Sequence, residues 1–203
     1  MRAHPGARSR LKRHILARAL ACFNEHGMEG ATIELIKMRA ETSVGAIYHH
    51  FKSKEGVAAA LYFLALDDQS CLFDARLDKA DEVEKAIKTM VGSYLEWVVT
   101  QPELARFLLQ ARTYVSRGPH ADELANRNRG RYKPLIEWII RGTVAGQLRV
   151  LPRETYAPLL IGQAESYCRA WLSGRVTAAP TTHTKVFAEA AWRTLAVEAC
   201  PLA

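Results

Sequence analysis

The segment SVGAIYHHFKSKE, Ser43 to Glu55, reads as a short helix with two unlike faces. Ser43 is a favoured N-cap residue, because its hydroxyl can accept a bond from an amide of the first turn. Ile47 and Phe51 stand four apart and give the helix one apolar stripe. Val44, Tyr48 and His49 point away from that stripe, and His50, Lys52 and Lys54 gather where the helix ends. A rod built this way can enter a DNA major groove while its exit is held on phosphate.

Working back from it, Thr32 can cap a short helix whose Ile33, Ile36 and Ala40 share one face, with a turn following at Glu41 and Thr42. Before that, Ile15, Ala19 and Phe23 recur every fourth residue from Arg10 to His26, with Leu16 and Leu20 beside them, and Gly27 is the stop. Residues 1–9 carry Arg2 and Arg8 without apolar periodicity and are expected to be a basic arm or a ragged end.

The order Gly45-x-Ile47-Tyr48-x-His50-Phe51-x-x-Lys54-Glu55 resembles the recognition-helix signature of the TetR family of bacterial helix-turn-helix transcriptional regulators. The likeness continues backwards through Thr32, Ile33, Ile36 and Ala40 to Ala19, Phe23 and Gly27, and spans residues 10–56. It implies an all-α fold of about nine helices: a three-helix helix-turn-helix DNA-binding domain over 1–55 and a larger helical ligand-binding and dimerisation domain over 56–203. It implies a repressor that binds a palindromic operator as a homodimer and answers to a small-molecule effector; the N-terminus has no apolar signal region after its basic residues, so cytoplasmic residence is expected. Tyr48, His50 and Lys54 would then hold the DNA backbone, Val44, Gly45 and Ala46 with His49 would face base edges, and the caps Thr32 and Ser43 would line the same surface. Glu41 stands where the family usually has Gly, and Lys37 where it usually has a small residue. A side chain at the turn must accept a left-handed backbone or bend the turn differently.

Composition narrows the classes. A chain of 203 residues can bury a substantial core, and no apolar run approaches the roughly 20 residues that span a bilayer, so no membrane partner is expected. Cys22, Cys71, Cys168 and Cys200 make no ligand series, so no metal, cofactor or disulfide framework is expected. Of the formal charge of +7, residues 1–56 hold ten Lys/Arg against five Asp/Glu, net +5, as an anionic partner at that end requires.

From Lys54 to about Leu77 apolar residues fall on two faces, as in a helix that links two cores. Further amphipathic helices follow, including a long segment from Ala121 to Gly146 whose Arg127, Arg129 and Arg131 read as a solvated face. Tyr62, Tyr94, Trp97, Phe107, Tyr114 and Trp138 are the candidate lining of an aromatic effector pocket, although the same spacing also describes core. Glu96, Gln110 and Arg112 are its candidate polar anchors. The resemblance implies that the last two helices pair with their symmetry mates, which makes Leu160, Tyr167 and Trp171 on one late helix, with Phe187, Ala191 and Leu195 on the last, the candidate dimer interface.

Two other classes stay open at this stage, an architectural DNA-binding protein without effector and a small all-α enzyme. His49, His50 and Glu55, or His120 with Asp122, could be imagined as acid/base or metal groups. Neither set has a nucleophile, base and orienter, or ligands at helical spacing, so no enzyme activity is expected.

Overall fold

A computed structural model describes residues 5–197, with side chains from Arg8 onward. Ten α-helices run through the described residues: α1 (Pro5–Gly30), α2 (Ile33–Arg39), α3 (Val44–Phe51), α4 (Lys54–Leu77), α5 (Val83–Thr100), α6 (Pro102–Ser116), α7 (Ala121–Arg131), α8 (Lys133–Val144), α9 (Arg153–Leu172) and α10 (Thr184–Leu195). A 3-10 turn, Pro180–His183, leads into α10, and a single antiparallel bridge joins Leu148 to Ala196.

The expected arm is helical from Pro5 onward, and residues 1–4 of it lie outside the described residues. Proline is tolerated in a first helical turn because its missing N–H had no partner there. Gly27 does end the regular coil, at φ 71° and ψ 178°, before one more turn to Gly30. The single helix expected over 121–146 is broken at Tyr132 into α7 and α8, with Pro134 early in the second.

Contacts divide the chain into two compact units. One comprises the residues up to Asp67 together with Glu103–Arg127, and the other Asp68–Pro102 with the residues from Asn128 onward. This division by compactness differs from a division by role at residue 55. Its physical cause in the first unit is α6: Phe107 is fully buried against Phe23 of α1, ring centroids 5.5 Å apart, in one core with Ile15, Ala19, Ile36 and Ile47. Asn24 adds two hydrogen bonds, to the Glu103 carbonyl at 3.0 Å and its carboxylate at 2.8 Å.

One helix, α4, does have the length and apolar composition of a bilayer span, contrary to the expectation that no run would. Val57, Ala58, Ala59, Leu61, Tyr62 and Phe63 on it are buried within the first unit, which accounts for that composition.

In the second unit α5 is the central element, buried along Ile87, Met90, Val91, Leu95 and Val98 and packed by α8, α9 and α10. A Cβ at Gly142 of α8 would come within 2.6 Å of Leu148, so glycine there admits a leucine that is 1 % exposed.

Candidate nucleic-acid interface

Local chemistry fixes the helix-turn-helix. The Thr32 hydroxyl accepts the Leu35 amide at 3.2 Å and starts α2, and the Ser43 hydroxyl accepts the Ala46 amide at 3.0 Å and starts α3. Ile47 is fully buried and Phe51 is 5 % exposed, so the underside of α3 is seated in the core. Each such burial contributes about 1.5–3 kcal/mol. Tyr48 stands 46 % exposed, His49 and Gly45 are also exposed, and Val44, Ala46 and His50 are half-buried. Thr32 and Ser43 are exposed with their hydroxyls engaged as caps. The turn is made as a left-handed residue, with Glu41 at φ 45°, and Lys37 stays exposed on α2.

Lys54 behaves differently from a free phosphate contact. Its Nζ donates to the Met28 carbonyl at 2.8 Å and approaches the Glu29 carbonyl at 3.4 Å, fastening the start of α4 to the end of α1. Its neighbour Glu55 is held ionised below the usual carboxylate range by the Ser53 hydroxyl, its own amide and Tyr114. Tyr114 donates to Glu55 Oε1 at 3.0 Å, and burial with that carboxylate beside it pushes the phenol up to about 12. Glu55 therefore serves a structural tie between α4 and α6.

Gly56 was missed by sequence reasoning. A Cβ there would sit 1.8 Å from the Phe51 carbonyl oxygen, so this glycine lets α3 turn directly into α4. Lys12 was missed as well, and Arg8 was expected only as part of a basic arm. Arg8 donates to His49 Nε2 at 3.0 Å, and Arg8, Ser9, Lys12, His49 and His50 surround a cleft of about 240 Å³. The available signal was their i, i+4 spacing, which places both on one face if α1 begins early enough.

The six aromatics expected to line one effector pocket are divided between the two units. Tyr62, Phe107 and Tyr114 belong to the first unit, and Tyr94, Trp97 and Trp138 to the second. Phe107 is core, Tyr114 holds Glu55, Trp97 is buried with its indole N–H on Asp68 at 2.8 Å, and Trp138 stacks with Arg141. Of the expected anchors, Glu96 pairs with Arg76, while Gln110 and Arg112 are exposed. The second unit carries an open cleft of about 640 Å³ whose lining includes Arg76, Glu84, Lys88, Ser93, Glu96 and Thr184.

The expected dimer face is divided. Leu160, Ala191 and Leu195 are buried inside the protomer against its own helices, which corrects their assignment to an interface. Tyr167, Trp171 and Phe187 are half-exposed, and the Tyr167 ring lies against His183 at 5.2 Å and Phe187 at 5.4 Å.

Residues 15–61 match the family described as bacterial regulatory proteins, tetR family. The chain is 31 % identical over 99 residues to the HTH-type transcriptional repressor AcnR of Corynebacterium diphtheriae, covering 48 % of this chain and 50 % of that protein. It thus spans about half the length of this curated relative. Two solved structures share the fold. A TetR family transcription regulator from Marinobacter aquaeolei VT8 superposes with a TM-score of 0.79 at 16 % identity, over 92 % of this chain and 95 % of that one. A bacterial regulatory protein in the tetR family from Rhodococcus RHA1 superposes with a TM-score of 0.76 at 22 % identity, over 91 % and 96 %.

Proposed function

We propose, for a chain that belongs through residues 15–61 to the tetR family of bacterial regulatory proteins, that it is a cytoplasmic DNA-binding transcriptional repressor acting as a homodimer on a palindromic operator. The observation that carries this reading is the orientation of α3: its Ile47 and Phe51 face is seated while Tyr48, His49 and Gly45 are open to solvent. In this reading residues 1–55 read DNA and residues 56–203 dimerise and bind the effector. Val44 and Ala46 have no donor or acceptor and suit thymine methyls, which favours A·T-tolerant sites with hydrogen-bonded readout left to His49, the turn or backbone groups. Tyr48 and His50 anchor the backbone, and Lys54 retains donor capacity for a phosphate beyond its two carbonyls.

One recognition helix makes few base contacts, and linking two multiplies affinity. The half-exposed Tyr167, Trp171 and Phe187 support a partner on that side of α9 and α10. The open cleft of the second unit has the volume of a ligand site, and its paired Arg76–Glu96 and Lys88–Glu84 suit an effector carrying charge of both signs better than a flat aromatic one.

The test is retention of genomic fragments by the purified protein, followed by footprinting. Two protected half-sites about 34–36 Å apart, or a multiple of that turn, support the repressor. Uniform protection would instead mark an architectural protein, and absence of DNA binding would refute the reading.

A further inference from the structure

The cleft between the first turns of α1 and the end of α3 holds four basic side chains, Arg8, Lys12, His49 and His50, and both helices belong to the first compact unit. A guanidinium only donates, so the Arg8–His49 bond at 3.0 Å requires His49 Nε2 to accept, with the ring hydrogen on Nδ1. The His49 and His50 rings meet edge to face at 5.3 Å, and Lys12 lies 5.8 Å over the Phe51 ring centroid beside them. The basic groups acting on His50 are His49 of its own helix and Arg8 and Lys12 of α1, with no carboxylate among them. Burial first, and these charges second, hold His50 below the ordinary imidazole range. The cleft therefore sets the Arg8 and Lys12 cations beside a pair of imidazoles, and an imidazole nitrogen stands in as the acceptor for Arg8.

We propose that Arg8, Lys12 and the His49–His50 pair form a clamp for one backbone phosphate of duplex DNA, and that the pair takes up a solvent proton when the phosphate enters. The phosphate oxygen replaces Nε2 as the acceptor for Arg8, and the released nitrogen binds a proton and donates to the same phosphate. The anion also offsets the repulsion that, after burial, holds His50 below the ordinary imidazole range. Binding one phosphate then consumes one proton, so duplex affinity rises as pH falls. The clamp extends the contact surface from α3 onto α1, and it rests on the DNA-binding reading above.

The test uses the full chain and a random-sequence duplex of about 30 base pairs, because a phosphate contact is independent of sequence. Fluorescence anisotropy at fixed ionic strength between about pH 5.5 and pH 8 should show affinity falling with rising pH, at a slope reaching at most about one decade per pH unit for one linked proton. The His49→Gln/His50→Gln variant should flatten that slope. His49→Gln alone, at an exposed position, should reduce it if the double variant fails to fold. Arg8→Gln should weaken binding at every pH and lower the salt slope by about one unit. A flat wild-type profile with intact duplex binding overturns the clamp and leaves the regulator reading standing, whereas absence of duplex binding overturns both. A pH slope unchanged in the histidine variants also overturns it. Calorimetry in buffers of different ionisation enthalpy separates the sources of phosphate: proton uptake with duplex supports the clamp, and equal uptake with inorganic phosphate alone would make it a free-anion site and overturn the assignment to DNA.

Discussion

Replacing Lys54 by Met keeps the aliphatic stem and deletes the ammonium, and so separates two roles that the sequence merges. The deleted group makes one short bond to the Met28 carbonyl and a longer one to Glu29, at a helix end whose carbonyls have no helical donor. A charge-assisted bond contributes about 1.5–3 kcal/mol when well made, but this side chain is half-exposed and its second bond is long. A loss of about 1–2 kcal/mol follows, which at a urea m-value of about 2 kcal/mol/M lowers the unfolding midpoint by about 0.5–1 M. The same variant tests DNA contact independently, because loss of one neutralised phosphate reduces the slope of log affinity against log salt by about one unit. An unchanged urea midpoint would refute the anchoring argument. A lowered midpoint with an unchanged salt slope would confine Lys54 to fastening α4 onto α1.

Three further outcomes follow from the same region. Gly56→Ala drives a methyl into the Phe51 carbonyl and should cost about 3 kcal/mol, at the upper end for overpacking, read by urea unfolding; a near-wild-type midpoint would show that the α3–α4 turn relaxes freely. Glu41→Gly relieves a left-handed residue, worth about 1–2 kcal/mol, against about 0.5–1 kcal/mol of added chain entropy, so the midpoint should rise slightly; a fall would mean the glutamate side chain itself is needed. Tyr114 is raised in the folded state, so its contribution is complete below pH 10 and is lost as pH climbs from there towards about 12. Alkaline unfolding of Tyr114→Phe should lack that component, and identical alkaline profiles would remove the Tyr114–Glu55 tie.

The helix-turn-helix was legible because its determinants are local. Ser43 and Thr32 cap their own helices, and the spacing of Ile47 and Phe51 says which face must be covered. Periodicity reports that a face is buried, however, and never by what. Leu160, Ala191 and Leu195 lie on the stripe expected from spacing but are satisfied within one protomer. Phe107 and Tyr114 obey helical spacing equally well as core and as a hydrogen-bonded tie. Lys12 escaped notice, and Arg8 was read only as part of a basic arm, because a polar helical turn has no apolar repeat to reveal it, and their meaning appears only when α3 lies alongside. Lys54 illustrates the same limit, since its partners are 25 and 26 residues earlier in the chain.

The burial of Phe107 against Phe23 bears on protein engineering. A reading head cut out at residue 55 and transplanted onto a different body would leave Phe23 bare and Asn24 without its Glu103 partners. A chimera that carries residues 103–127 along with the head keeps that seam closed, so the transferable cassette is discontinuous in the gene although contiguous in space.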